Sequence, residues 1–250
     1  MKTKHLFQIL IIFLLTFQLN GQINWGVQLG LNGTNISQSI SDDYQDLDYP
    51  TKLKFGFNVG VVADYQLNDQ MGFQSGLLYT QKGYQVDWDA FLKREDMDGS
   101  VTGYWTYSYN YLELPVHFYY SFDDFYVIGG PYFAYGLGGT SKIDATYKYN
   151  GNSSNIKQTI DLQAVSGAVK AEDFFDVDAD VPDVKVYNAF DIGFDIGAGY
   201  KMEQFMLTAK YSFGFTNLTP KISDNDNFDP NDLKKTNNGF SLSLVYFFTD

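Results

Sequence analysis

The residues with the clearest capacity for acid–base chemistry are His117 and Glu113. They lie four positions apart in an alternating segment, so a β-strand would put both side chains on one face. A carboxylate beside an imidazole is an arrangement that general acid–base catalysis uses. The only other histidine, His5, belongs to an N-terminal apolar segment, and no serine can be assigned from spacing as a nucleophile for His117. We therefore expect no catalytic site, and keep a lipid-modifying or hydrolytic enzyme that uses His117 as the alternative.

Charged residues also fall on the polar faces of several alternating segments. A tight turn at Met202-Glu203 would put Asp195 directly opposite Lys210 on adjacent strands. A buried charge without a partner costs several kcal/mol, so charges that point into a closed fold need counter-charges. We predict one structural network of ion pairs, in preference to a proton or ion pathway. Its members are Lys82, Glu113, Asp191, Asp195 and Lys210.

A third candidate site is the acidic segment from Ser223 to Asp232. Its oxygen-bearing residues alternate as in a calcium-binding loop, and the candidate ligands are Asp224, Asp226, Asp229 and Asp232. The segment lacks the glycine at the sixth loop position and the distal glutamate of an EF-hand. We therefore expect a solvated, turn-rich loop without metal, with calcium as the alternative, and we expect no cofactor in the protein.

The elements that must position these side chains are β-strands. Period-two alternation recurs along the chain, and most alternating segments have the ~9 to 11 residues with which a tilted strand crosses a membrane. The chain therefore predicts an all-β fold, an eight-stranded antiparallel up-and-down transmembrane β-barrel. The eight segments are residues 25–32, 53–65, 71–82, 110–120, 125–137, 186–200, 204–215 and 239–248.

The connections between these segments alternate strictly between long and short. Outer-membrane barrels have short periplasmic turns and long extracellular loops, so the alternation puts every long connection outside and both chain ends in the periplasm. The short connections are residues 66–70, 121–124 and 201–203. The long connections are residues 33–52, 83–109, 138–185 and 216–238.

The two faces of the predicted strands differ sharply in size and polarity. In the segment from Phe190 to Tyr200, one face is Phe, Ile, Phe, Ile, Ala and Tyr, and the other is Asp, Gly, Asp, Gly and Gly. The second face is too small and polar for a soluble core, so we expect the apolar face to meet lipid and the polar face to point inward. A soluble barrel of lipocalin type, with the apolar face inward, is the alternative.

The connection of residues 138–185 is too long to be a plain loop in a compact domain. It contains two weakly alternating stretches, Ile143 to Tyr149 and Ile160 to Ala164, which leaves a ten-stranded barrel open. Lys and Asp residues among these stretches would make a poor lipid surface. We therefore prefer a hairpin that stands above the membrane.

The N-terminus has the organisation of a secretory signal peptide. Lys2 and Lys4 give a positive start, Leu6 to Leu19 is a nearly unbroken apolar run, and Asn20-Gly21 forms a small polar exit. The run is shorter than the roughly 20 apolar residues that a membrane-spanning helix needs. We predict a signal peptide over residues 1–21 and one barrel domain over residues 22–250.

Charge and cysteine content exclude several classes of protein. The chain has 17 basic and 30 acidic residues, and its four long connections hold 21 of the acidic residues but only 11 of the basic ones. A nucleic-acid partner would need a basic patch, and the sequence has none. With no cysteine, the chain has neither a lipidated N-terminus nor a disulfide, although export leads to an oxidising compartment.

Several strand sequences resemble the small outer-membrane β-barrel family called PorT-like, from gram-negative envelopes. The matching stretches are LLYTQKG at 77–83, NYLELPVHFYY at 110–120, FYVIGGPYFAYGL at 125–137, FDIGFDIGAGY at 190–200 and LTAKYSFGFTNL at 207–218. The resemblance implies the barrel fold and the outer membrane. It implies no common activity, because fold does not carry function.

Partners follow from the predicted location. Outer-membrane lipid would surround the barrel, and the barrel-insertion machinery usually reads a terminal aromatic residue; here Phe248 is followed by Thr249 and Asp250. The acidic loops could contact a protein or another surface, and we expect a monomer. The interior of an eight-stranded barrel is just wide enough for side chains to fill it. We therefore expect a non-enzymatic envelope protein with a filled lumen, and an accessory subunit of a secretion or uptake complex as a further alternative.

Overall fold

The computed structural model describes residues 23–42, 48–94, 99–176, 183–224 and 229–248. The predicted signal peptide lies outside these residues. Among them, no helix is both long and apolar enough to cross a membrane. The strands are β1 Ile23–Ile40, β2 Thr51–Gln66, β3 Met71–Val86, β4 Ser100–Phe122, β5 Phe125–Tyr149, β6 Asn152–Val165, β7 Phe175–Asp176, β8 Asp183–Val184, β9 Val186–Asn188, β10 Phe190–Met202, β11 Phe205–Gly214 and β12 Leu233–Phe247. The helices are α1 Trp88–Arg94, α2 Ala171–Phe174 and a 3₁₀ turn Pro230–Asp232.

Eight of these strands close into a ring, in the order β1, β2, β3, β4, β5, β10, β11 and β12. Every neighbouring pair in the ring is antiparallel, and pairing between β12 and β1 completes it. Strands β6 and β9 lie outside the ring, since β5 pairs directly with β10. The prediction of an eight-stranded barrel is confirmed, and the ten-stranded alternative is wrong.

The ring is staggered by ten residues. Partners followed around it from Tyr135 lead through Leu112, Tyr79 and the remaining strands back to Phe125 of the same strand, ten positions earlier. Stagger and strand number together fix the tilt, which is roughly 40° for small barrels. The tilt brings side chains from distant parts of the sequence to one level of the lumen.

The inward face of the barrel is polar and the outward face is apolar. On β1, Gln28 and Asn32 are buried, whereas Leu29 and Leu31 have 64% and 70% of their surface exposed. The same alternation continues on β2, where Asn58 is buried and Phe55 is 81% exposed. Apolar side chains on this surface are stable against lipid and not against water, so the predicted orientation of the two faces is confirmed, and the lipocalin-type alternative is wrong.

The turn between β10 and β11 corrects one prediction. Met202 pairs with Phe205, so the turn is Glu203-Gln204, and Glu203 has a φ of +42°. Lys210 is therefore opposite Gly197, and Asp195 is opposite Ser212. The predicted register is wrong by two residues, because the sequence does not show which residue of the turn adopts the left-handed conformation.

The long connection after β5 forms a hairpin above the barrel. β5 is 25 residues long, and its outer half pairs with β4 on one side and with β6 on the other. Tyr149 pairs with Asn152 around Asn150-Gly151, whose φ values of +49° and +80° fit a type I′ turn. Strands β4, β5 and β6 thus form a projecting sheet. The inner face of this sheet contributes Trp105, Tyr107 and Tyr109 to a buried aromatic cluster, which also includes Tyr187 of β9.

Candidate functional site in the barrel lumen

The charged side chains predicted from the sequence meet inside the barrel. Strand β3 carries Lys82, β4 carries Glu113, β10 carries Asp191 and Asp195, and β11 carries Lys210. Each occupies an inward position between outward-facing neighbours, which is why none of them points to lipid. The side chains of all five are at most 9% exposed.

Lys82 is the centre of the half of the site that lies nearer the projecting sheet. Its Nζ lies 2.9 Å from Glu113 Oε2 and 3.0 Å from Asp191 Oδ2, so one ammonium group bridges two carboxylates. The same Nζ lies 3.9 Å from the centre of the Tyr132 ring, where a cation is attracted to the ring face. Asp191 also accepts a hydrogen bond from Asn237 Nδ2 at 3.0 Å. Five strands are thereby joined across the lumen.

Lys210 links this half to a second one. Its Nζ donates to Asp195 Oδ2 and lies 3.8 Å from Glu113 Oε1. His117 Nε2 lies 2.9 Å from the same Oδ2 of Asp195. The contacts therefore form one continuous set from Asp191 to His117.

The partner of His117 differs from the residue that the sequence suggested. Glu113 shares its strand and face, but its carboxylate contacts Lys82 and Lys210. The imidazole instead meets Asp195 of β10, which is separated from β4 by β5 in the ring. Spacing along one strand could not reveal this contact, because it depends on how the ring closes.

Pro115 interrupts the hydrogen bonding of β4 just before His117. Pairing with β3 skips from Ser75–Val116 to Leu78–Glu113, and the register on either side is unchanged. Ser75 Oγ donates to the carbonyl oxygen of Pro115 at 2.7 Å, which satisfies one group freed by the interruption. The proline thus weakens the ladder locally, and β4 remains one strand.

A small polar cavity remains beside the network. It has a volume of about 30 Å³ and is lined by residues that include Thr80, Lys82 and Asn237. Such a space holds roughly two water molecules, since each needs about 10–15 Å³. Thr80 Oγ1 and Asn237 Oδ1 have no hydrogen-bond partner among the described residues, so they are the natural partners of such waters.

Sequence reasoning missed two residues of the site, Tyr132 and Asn237. Tyr132 lies on β5 in phase with the inward Ala134, a signal that was present in the alternation. Asn237 lay in a segment assigned to a loop, whereas β12 begins at Leu233. The ladder continues there after the apolar alternation ends, so hydrophobic pattern alone stops too early.

The calcium candidates do not converge in the described part of the chain. Asp224 Oδ1 accepts a hydrogen bond from the backbone N–H of Ala171, and Asp229 Oδ1 accepts one from that of Asn231. Asp232 ends the 3₁₀ turn, and Asp226 lies outside the described residues. Across those residues, no group of three or more His, Asp or Glu side chains could hold a metal ion.

Comparison with solved structures finds bacterial proteins of low sequence identity to this chain. Ail, the attachment invasion locus protein of Yersinia pestis, is 14% identical, with 90% of this chain and 98% of that chain covered and a TM-score of 0.35. Neisserial surface protein A is 14% identical, with coverages of 90% and 97% and a TM-score of 0.38. The Pseudomonas putida toluene transporter TodX is 10% identical, with coverages of 93% and 90% and a TM-score of 0.27. At these identities and scores, no functional inference follows.

Comparison with curated protein sequences gives no match. The sequence profile described as "Outer membrane protein beta-barrel domain" matches residues 17–219. This match spans well over half of the chain and includes all ring strands except β12. The chain therefore belongs to the outer membrane protein β-barrel domain family, and its location is the outer membrane.

Proposed function

We propose that this protein is a non-enzymatic outer-membrane barrel whose lumen is closed by its own side chains. The observation that carries the proposal is the network around Lys82 and Lys210, in which each ammonium group meets two buried carboxylates. A group in such a network has partners on several strands, so moving it out of the lumen would leave opposite charges uncompensated. A filled lumen of this kind serves the envelope as a rigid membrane anchor and does not conduct solutes.

The functional contacts are assigned in the same proposal to the extracellular side. Support comes from the projecting sheet of β4, β5 and β6, which rises above the level at which β10 and β5 close the ring. Its inner face packs against aromatic residues, and its outer face presents exposed side chains such as Tyr104 and Lys157. A rigid exposed sheet suits contacts with a protein or a surface.

Conductance measurement tests the closed lumen. The protein inserted into a planar bilayer is expected to give no discrete current steps above the lipid background. A variant that combines Lys82→Ser, Glu113→Ser and Asp191→Ser removes the three central side chains together, and it is expected to show a measurable leak. Current steps of porin size from the unaltered protein would overturn the proposal.

An enzyme centred on His117 is the second candidate, because an imidazole beside the Asp195 carboxylate is a base with an orienting partner. The pair is buried within the lumen, with side-chain exposures of 5% and 2%, which argues against access for a lipid substrate. The refolded protein is expected to give the same background turnover as His117→Ala in a screen of lipid substrates. Turnover that depends on His117 would favour the enzyme.

A third candidate is an accessory subunit of a secretion or uptake complex, in which the projecting sheet would contact the other subunits. Crosslinking in native membranes separates it from a monomeric anchor. Recovery of the chain alone counts against the complex.

A further inference from the structure

The barrel wall has an irregularity between β2 and β3 near its outer end, and another between β4 and β5 at Asn110. Leu53 pairs with Tyr84 and Asn58 with Thr80, and the register shifts between these two pairs. Along its other edge, β2 pairs with β1 without a break as far as Lys54. The irregularity of β2 therefore affects its pairing with β3 and not its pairing with β1. The gap between β2 and β3 is called the seam below.

Lys54 lies at this seam, and no carboxylate within the described parts of the chain serves as its counter-charge. Its Nζ donates to Gln81 Oε1 at 3.0 Å and to the carbonyl oxygen of Phe55 at 3.3 Å, both of which are neutral. The residue is 6% exposed, and no carboxylate of the described residues lies within ion-pair distance of it. Lys82 and Lys210 each contact two carboxylates instead. A covered ammonium without an anion is the exception in this barrel.

Lys54 occupies an inward position on β2, opposite the buried Thr34, and its Nζ reaches the outward residue Gln81 through the seam. Polar side chains continue from Gln81 over the lipid-facing surface. Asn110 Oδ1 accepts hydrogen bonds from Gln81 Nε2 at 3.3 Å and from the Tyr79 hydroxyl at 2.8 Å. These positions alternate with the buried Thr80, Lys82, Tyr109 and Tyr111, so they belong to the outward face. The patch formed by Lys54, Tyr79, Gln81 and Asn110 is called the seam patch below.

The seam patch lies where the surface changes from apolar to polar. Phe55 and Phe240 are both opposite Gly33 of β1, so the two aromatic residues lie in one row around the barrel. One step further outward along β1, Asn35 is opposite Asn238. On β1 and β12 the outward-facing residues beyond this row are polar, whereas β2 still carries the exposed Leu53 two residues further outward. The row therefore lies near the level at which lipid chains give way to headgroups.

We propose that the seam patch binds the phosphate group of an anionic lipid in the outer leaflet. Lys54 supplies the positive charge, and the side-chain amides of Gln81 and Asn110 are the neighbouring hydrogen-bonding groups. A phosphate oxygen would replace the neutral oxygens that Lys54 now contacts, and a charge-assisted hydrogen bond is about twice as strong as a neutral one. Free inorganic phosphate has the same chemistry, but the depth of the site favours a headgroup held at the membrane surface.

Fluorescence quenching by brominated lipids tests the site at its own position. Phe55→Trp places a reporter beside Lys54, and Phe240→Trp places a matched reporter in the same row two strands away. Both are made in a Trp25→Phe background, which removes a lipid-facing tryptophan that is 51% exposed. Emission from Trp88 and Trp105 is subtracted with that background protein. Vesicles contain brominated phosphatidylglycerol or brominated phosphatidylcholine.

The expected result is a preference of about fivefold for phosphatidylglycerol at the Phe55→Trp reporter, the size expected for one lysine near an anionic surface. The Phe240→Trp reporter should show no preference. Lys54→Gln should abolish the preference and Lys54→Arg should retain it. Folding of each variant is checked by the heat-dependent gel shift, the change in electrophoretic migration that a folded barrel shows when it is boiled in detergent.

Three outcomes overturn the proposal. Equal preference at both reporters means that charge attracts anionic lipid around the whole barrel. A preference that survives Lys54→Gln means that another group binds the lipid. Loss of the preference on adding millimolar inorganic phosphate to vesicles at constant ionic strength means that free phosphate is the ligand.

Discussion

Lys82 shows how a single residue ties the lumen together. It comes from β3, and its two carboxylate partners come from β4 and β10, so three strands depend on one ammonium group. Forming such a buried ion pair adds little net stability, but removing one partner destabilises the protein strongly. Both carboxylates are nearly inaccessible to water, so neither could be solvated after the loss of Lys82. Alternation in the sequence predicted that these residues point inward, but it could not predict Tyr132 and Asn237 as their neighbours.

Replacing Lys82 by methionine is expected to lower the free energy of unfolding by about 3–5 kcal/mol, because Glu113 and Asp191 lose a buried counter-charge. Urea unfolding in lipid vesicles measures the change. The control is Lys157→Met, which breaks the pair with Asp144 at 3.5 Å on the exposed sheet and should cost less than about 1 kcal/mol. Equal stability of the two variants would contradict a structural role for Lys82.

At the scale of elements, the projecting sheet contains the strand that hydrophobic alternation in the sequence does not predict clearly, β6. Ring strands alternate strongly because one face meets lipid, and this made eight segments visible in the sequence. Above the membrane both faces of β6 meet water or a partly buried cluster, so its alternation is weak. The turn Asn150-Gly151 was a direct hairpin signal in that region, since Asn-Gly suits a turn in which both residues have positive φ.

Gly151→Val is expected to destabilise the projecting hairpin without affecting the barrel. A Cβ at Gly151 would meet nothing within 4 Å, so the cost comes only from its φ of +80° and is roughly 1–2 kcal/mol. Trypsin cleavage at Lys148 or Lys157 should become about tenfold faster, in line with the larger open population. The heat-dependent gel shift should stay unchanged.

Ser154→Val is the control for this variant, since Ser154 is exposed on β6, just after the turn, and has no positive φ. It should leave the cleavage rate as it is. Similar acceleration in both variants would show that the turn conformation is not what holds the hairpin.

At the scale of the whole molecule, the lengths of the connections indicate which end of the barrel faces the periplasm. The three short connections between ring strands are Asp123-Asp124, Glu203-Gln204 and residues 67–70. All three lie at the end of the barrel opposite the projecting sheet. The outer-membrane location then puts that sheet outside the cell.

Absence of cysteine from the chain makes sidedness directly measurable. Ser153→Cys on β6 is expected to react with a membrane-impermeant maleimide in intact cells. Asp69→Cys, in an exposed turn at the other end, is expected to react only after the outer membrane is permeabilised. Labelling of Asp69→Cys in intact cells would reverse the orientation.

Sequence alone determined the class of fold, the number of ring strands, the inward face and the alternation of short and long connections. These follow from local physics, because a lipid-facing strand must alternate with period two and a tight turn must be short. The signal peptide, the monomeric state and the partners stay predictions from the same sequence.

Tertiary structure decided what meets across the ring. The register at Glu203-Gln204, the contact of His117 with Asp195 and the neutral surroundings of Lys54 all depend on it. The β10–β11 turn, the direct pairing of β5 with β10 and the irregularity between β2 and β3 set these contacts. None of them leaves a periodic signal in the chain, because side-chain alternation reports the face of a strand and not its partner on another strand.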